Sequence, residues 1–324
     1  MGHFTQAKRV RPDALRRGDQ VGIIAPAGAI EASALDAGAA WLRQKGFEPI
    51  YSPSIVDRDL YFAGSAARRL DECHEMFARE DVKAIICARG GYGCNYLLPG
   101  IDLELIRANP KIFCGCSDVT TLLTFLCDRA GMVTFHGPML NVDVRPDGVD
   151  ESSWSAAICS GEAYEREFAA DEVQALVPGS AEGLLYGGCL SLLCASLGTP
   201  YEIETRGTIL FLEDLAEPAF RIDRMLMHLK LAGKFEGVRG IIFGEMLNCG
   251  PKNDVADTLQ QVVLRVVGDL GVPIAYGLKS GHVTRANITL PIGVHSTFSA
   301  TETVRLGWSA AVRAEAVPAE SHKS

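Results

Sequence analysis

Ile112-Phe113-Cys114-Gly115-Cys116-Ser117-Asp118-Val119-Thr120 reads as an apolar strand that runs into a tight turn, with a helix opening behind it at Thr121-Leu122-Leu123-Thr124-Phe125-Leu126. The same unit recurs upstream. Val21-Gly22-Ile23-Ile24-Ala25 leads into the loop Pro26-Ala27-Gly28, then into a helical pattern over 31–45 that Gly46 stops. A second strand spans 47–51 and a helix spans 66–79. The third strand, 84–88, turns at Gly90-Gly91-Tyr92-Gly93; the fourth is 111–115 and the fifth 133–136. Strands alternating with helices predict an α/β fold with a parallel, doubly wound sheet. Sites on such sheets form outside the carboxyl ends of the strands. The loops 26–28, 90–93 and 116–118 would then share one edge.

Beyond 141 the pattern loosens, and Asp143, Pro146, Asp147, Gly148, Pro178 and Gly179 mark turns. The reading is an N-terminal α/β domain over 1–145, a linker region over 146–180 around a short helix near Trp154, and a C-terminal domain over 181–324. The last part alternates strand or turn (183–189), helix (190–197), strand (208–212), helix (219–231), strand (240–244), helix (254–267) and an extended stretch (273–276), and it ends β-rich over 286–306. This predicts a mixed α/β domain.

The chain has 324 residues, 48% of them hydrophobic, and a formal net charge of −9. Such a balance argues against a nucleic-acid partner. The basic stretch Lys8, Arg9, Arg11, Arg16, Arg17 lacks interleaved aromatics and reads as a solvated lead-in. Several of the ten cysteines sit inside apolar runs, as small core residues do. No CxxC pair or zinc-type Cys/His spacing occurs, so no metal is expected, and reduced thiols suit a cytoplasmic setting. No apolar run is long enough to span a bilayer, so no membrane partner is expected.

Ser117 stands where a helix N-terminus offers unpaired N–H groups. It is a helix cap or a nucleophile. A nucleophile needs a base and an orienting acid. Among seven histidines, His282 lies in the glycine-punctuated loop Lys279-Ser280-Gly281-His282-Val283, and His136 ends a strand before Gly-Pro. Glu213 ends the apolar run Ile209-Leu210-Phe211-Leu212 and is either a cap or an inward-facing functional acid. The nucleophile-elbow pattern G-x-S-x-G is not met, because Val119 holds its last position. The turn at Gly90-Gly91 can cradle a phosphate, supply oxyanion donors, or simply turn the chain.

Taken together, Ala25-Pro26-Ala27-Gly28, Arg89-Gly90-Gly91-Tyr92-Gly93, Gly115-Cys116-Ser117-Asp118-Val119-Thr120, Gly187-Gly188-Cys189-Leu190-Ser191, Phe211-Leu212-Glu213-Asp214 and Gly281-His282 stand in the order seen in the LD-carboxypeptidase family. The chain resembles these serine peptidases from about Leu15 to Leu306. The resemblance implies a Ser117–His282–Glu213 triad, with oxyanion donors at the backbone N–H groups of Gly91 and Asp118. It also implies a Rossmann-like or flavodoxin-like N-terminal domain, a C-terminal domain of barrel-like character, a homodimer, and no metal or organic cofactor. The implied substrate is a murein tetrapeptide that loses its terminal D-alanine. Arg89, Gly90 and Gly188 are candidate substrate-binding positions, and Arg221 and Arg224 are further candidate carboxylate partners. The alternatives are a microcin-immunity type of peptidase, acting on aminoacyl- or peptidyl-nucleotide conjugates with Trp154 or Tyr164 as base platform, and a non-catalytic muropeptide-binding module.

Overall fold

The computed structural model describes residues 9–314 apart from 142, 146 and 251–254, without the side chains of 255–257. Five strands open the chain: β1 (Gln20–Ile24), β2 (Glu48–Ile50), β3 (Val82–Cys87), β4 (Ile112–Gly115) and β5 (Thr134–His136). They pair in parallel in the order β5-β4-β3-β1-β2, the flavodoxin-type arrangement. Helices Ala32–Lys45 and Ala66–Ala78 link them. Gly46, at φ +90°, ends the first of these helices in a left-handed turn. The inner strands carry apolar runs with nothing exposed at Val21, Ile23, Ala84, Ile85 or Phe113, as strands covered on both faces require.

Nine more strands follow: β6 (Tyr164–Phe168), β7 (Gln174–Val177), β8 (Gly179–Cys189), β9 (Thr208–Glu213), β10 (Gly240–Gly244), β11 (Ile274–Leu278), β12 (Leu290–Ile292), β13 (His295–Ala300) and β14 (Val304–Trp308). All but β12 form a second sheet in the order β6-β14-β13-β8-β9-β10-β11-β7, with β8 to β11 parallel and the flanking pairs antiparallel. Barrel closure would need β6 and β7 to hydrogen-bond to each other. Each instead pairs on one side only, so the sheet is open and the barrel-like character implied by the family resemblance is not met.

Segment 146–180, read from the sequence as a linker, contains the helix Glu151–Ser155 and the two edge strands β6 and β7. Strand β12 crosses back to lie antiparallel to β5, so the late chain is built into both sheets. One apolar cluster includes Ile23 and Ile86 from the first sheet together with Ile209, Phe211 and Phe298 from the second. Part of the basic lead-in is tied down: Arg9 pairs with Asp128 at 3.5 Å and Arg11 donates to the Ala310 carbonyl at 3.1 Å, whereas Arg16 and Arg17 are exposed and Lys8 lies outside the described residues. No helix among the described residues is long and apolar enough to cross a membrane.

Candidate active site

Strand β4 ends at Gly115, where a Cβ would fall 2.8 Å from Val119 Cγ1. That close approach lets the chain reverse directly into the turn Ser117–Val119 and the helix Thr120–Phe125. Cys116 is extended, and Ser117 takes φ +60°. A left-handed conformation at a non-glycine residue stores strain of order 1–3 kcal/mol and persists only where surrounding structure imposes it. The Ser117 side chain caps neither the turn nor the helix behind it. Its Oγ instead lies 3.1 Å from His282 Nε2.

His282 comes from the second sheet's side, on the loop between β11 and β12. Its Nδ1 lies 2.7 Å from Glu213 Oε2, and its backbone N–H donates to the same oxygen at 3.2 Å. A carboxylate at Nδ1 places the ring proton there and leaves Nε2 with a lone pair toward Ser117. Glu213, the last residue of β9, is fully buried, whereas the His282 side chain is 16% exposed. Burial pushes the Glu213 carboxyl up, but the charge and hydrogen bonds of His282, with the His136 ring facing its other oxygen, outweigh that and hold it down to about 2. Burial opposes protonation of His282, and Glu213 overcomes it, so the imidazole is raised above its ordinary value. These two shifts describe one coupled pair.

The loop around His282 is pinned on both sides. Asn287 accepts from Gly281 N at 3.0 Å and donates to Gly281 O at 3.1 Å. Glu245, just past β10, accepts from Thr284 N at 3.0 Å and Thr284 Oγ1 at 2.6 Å. Gly281 sits at φ +87°, and a Cβ there would fall 2.7 Å from Glu213 Cδ. Only glycine fits that position.

The turn after β3 closes the other side. Gly28 N donates to Gly90 O at 2.9 Å, which joins the loops after β1 and β3. A Cβ on Gly90 would fall 2.7 Å from Ser117 Cβ. Gly91 takes φ +102°, and among the described residues no backbone carbonyl outside regular elements accepts from its N–H or from that of Asp118. The Asp118 carboxylate points away and accepts from Cys94 N at 2.8 Å. Arg69, 1% exposed, donates to Pro26 O at 2.6 Å and Gly93 O at 2.8 Å. A buried guanidinium thus ties the two loops together.

Other residues singled out in the sequence lie elsewhere or are engaged. Arg89 is exposed beside the turn and donates to Ala29 O at 2.6 Å. Gly188 is buried at the end of β8, where a Cβ would fall 2.6 Å from Thr120 Oγ1; it serves helix–strand packing, not an open surface. Arg221 pairs with Glu217 at 3.3 Å, and Arg224 lies over the Phe220 ring. Trp154 is 3% exposed and packs edge-on against Trp41, so it offers no face to a base. Tyr164 rests against Trp308 on the outer edge of the second sheet. Among the described residues, no group of three or more His, Cys, Asp or Glu is placed to hold a metal ion. Sequence reading missed Asn287, Glu245 and Arg69, whose roles depend on contacts distant in the chain. It noted His136 but gave it no role beside Glu213.

The family models for the LD-carboxypeptidase N-terminal and C-terminal domains match residues 21–137 and 182–298. A probable murein peptide carboxypeptidase of Bacillus subtilis is 41% identical over 300 residues, covering 90% of this chain and 92% of that one. The crystal structure of a muramoyltetrapeptide carboxypeptidase from Oxalobacter formigenes superposes with a TM-score of 0.78 at 27% identity, covering 90% of this chain and 98% of the other. The microcin C7 self-immunity protein MccF, in complex with glutamyl sulfamoyl guanosine, superposes with a TM-score of 0.81 at 25% identity, covering 92% and 98%.

Proposed function

The chain belongs to the LD-carboxypeptidase family, and from that premise we propose that it is a serine carboxypeptidase hydrolysing the L,D-peptide bond to the terminal D-alanine of murein tetrapeptide, in cell-wall peptide recycling. The observation that carries the reading is the unbroken relay from Ser117 Oγ through His282 to Glu213 Oε2, with spacings of 3.1 and 2.7 Å.

His282 Nε2 takes the Ser117 proton as Oγ attacks the carbonyl carbon of the diamino-acid residue. Glu213 holds the Nδ1–H tautomer and stabilises the imidazolium. The N–H groups of Gly91 and Asp118 receive the developing oxyanion; one such donor contributes about 10²–10³ in rate. His282 then protonates the leaving amine, D-alanine departs, and the tripeptide remains as an ester on Ser117. Water, deprotonated by His282, releases it. Arg89 stands beside the oxyanion turn and is the proposed partner of the substrate's free carboxylate. A homodimer in the cytoplasm belongs to the same reading, and light scattering measures the assembly.

The competing substrate class is an aminoacyl-nucleotide conjugate, as the likeness to MccF suggests. Purified protein is given murein tetrapeptide or a glutamyl-nucleotide conjugate, and D-alanine or nucleotide release is followed. The proposal expects D-alanine release with a higher kcat/KM. Turnover of the conjugate alone would transfer the same chemistry to the other substrate.

A further inference from the structure

Glu213 uses only one of its oxygens on His282. Oε1 is buried and has no hydrogen-bond partner. It faces His136 Nε2 at 3.7 Å, and that nitrogen is likewise buried and unpartnered. Neither residue has any exposed surface. At 3.7 Å the contact is electrostatic, longer than a hydrogen bond. The other ring nitrogen of His136, Nδ1, lies 3.0 Å from Ser280 Oγ.

Three further features fix this arrangement. His136 is the last residue of β5, paired to Gly115 on one side and Leu290 on the other. Its ring meets Phe211 edge-on, with centroids 5.3 Å apart. A Cβ on Gly281 would fall 2.8 Å from His136 Cε1, so the loop carrying His282 is draped directly over the two side chains.

We propose that His136 is a positioning residue for the triad, carrying its proton on Nε2 and presenting it to Glu213 Oε1, so that the carboxylate is held between two imidazoles. The proposal rests on the serine-hydrolase reading above. The tautomer follows from charge. A lone pair on Nε2 would face a carboxylate, whereas an N–H is attracted to it. Ser280 then donates its hydroxyl proton to the free Nδ1. The consequence falls on His282. When that ring takes the serine proton, Glu213 must remain ionised and keep its orientation. An N–H pointed at Oε1 serves both needs electrostatically and lowers the proton affinity of the Glu213–His282 pair.

The other ionisable groups around the pair are Asp143, Asp214 and the thiols of Cys116, Cys189 and Cys249. Burial keeps those thiols protonated. The Asp214 carboxylate receives Ser191 N at 2.8 Å and Leu215 N at 2.9 Å, and the Asp143 carboxylate receives Met139 N at 2.8 Å. None of these groups gives Oε1 a donor.

The test compares His136→Leu, which removes the donor, with His136→Gln, whose amide can place an N–H near the Nε2 position. His136→Leu is expected to lower kcat for D-alanine release about tenfold to a hundredfold at unchanged KM, by analogy with the loss of a partner that orients a metal-ligating histidine. Its acid limb of kcat/KM is expected to move to higher pH, because the pair then holds its proton more tightly. His136→Gln is expected to restore most of both. Equal losses in the two variants with an unmoved acid limb would overturn the proposal. Histidine ¹⁵N NMR of the wild-type protein tests it without substrate and without a variant that must fold. Nε2-protonated His136, with a signal that responds to Glu213→Gln, supports it; the Nδ1-protonated form contradicts it. A wild-type protein that releases no D-alanine would count against the functional reading alone, and the NMR result would still decide the tautomer.

Discussion

Ser117 shows how little local sequence says about a candidate nucleophile. The G-x-S-x-G pattern fails at Val119, yet the serine still takes φ +60° and turns its Oγ onto His282. The glycine that makes room for it lies in another loop. Gly90 meets Ser117 from the end of β3, and an added Cβ would stand 2.7 Å from the serine's own. Gly90→Ala must therefore push the Ser117 side chain aside. Displacements near 1 Å cost about 10² in rate, so kcat/KM should fall by at least that factor while the melting temperature moves little. Steady-state kinetics beside a thermal melt checks this. The pH dependence follows from the direction of the His282 shift. Its pKa is raised, and only the unprotonated ring can act as base, so the acid limb of kcat/KM should lie above the ordinary imidazole value of about 6.5. A pH–rate profile with its acid limb below that value would contradict the coupling to Glu213.

Each functional side chain sits at the carboxyl end of a strand or on the loop beyond one, and the elements are held by residues that never touch the reaction. Arg69 is the clearest case, since its guanidinium bonds the carbonyls of Pro26 and Gly93 and so holds the loops after β1 and β3 in register. Arg69→Met would leave the Pro26 carbonyl without its donor, while the Gly93 carbonyl keeps Tyr96 N at 3.2 Å. Loss of one buried partner costs about 1–3 kcal/mol, so chemical denaturation should show a destabilisation of about that size, with kcat reduced as the Gly90–Gly93 turn loosens. Strand identity in the first sheet was legible because buried parallel strands are nearly continuous apolar runs, as at Val21–Ala25 and Ala84–Ala88. Asn287 and Glu245 were not legible. Each pins the His282 loop through backbone or hydroxyl contacts that leave no periodic or motif signal.

At the scale of the molecule, two open sheets share one core, and the site lies where their strand ends meet. The order of motifs along the chain pointed to Ser117, Glu213 and His282, which the fold brings within hydrogen-bond reach, but not to the return of β12 to the first sheet or the strands at 164–177, whose exposed edges alternate too weakly to read. A second contact crosses the same seam: Tyr186 on β8 donates to Asp128 at 2.6 Å. Burial raises the Asp128 carboxyl to about 6, despite that bond and Arg9. A folded pKa above the unfolded value of about 3.9 means stability is greatest below that value and falls as pH rises toward 6. Wild type should thus lose about 1–3 kcal/mol relative to Asp128→Asn between pH 4 and pH 7, as read from denaturant midpoints. A difference that stays flat across that range would place the shift elsewhere. The central claim, that Ser117 attacks a murein peptide under His282 and Glu213, is tested most directly by D-alanine release from murein tetrapeptide in wild type and Ser117→Ala side by side. Steady release in wild type and a loss of about 10⁴–10⁶ in kcat for the variant are predicted, whereas a variant that retains wild-type release would contradict the account.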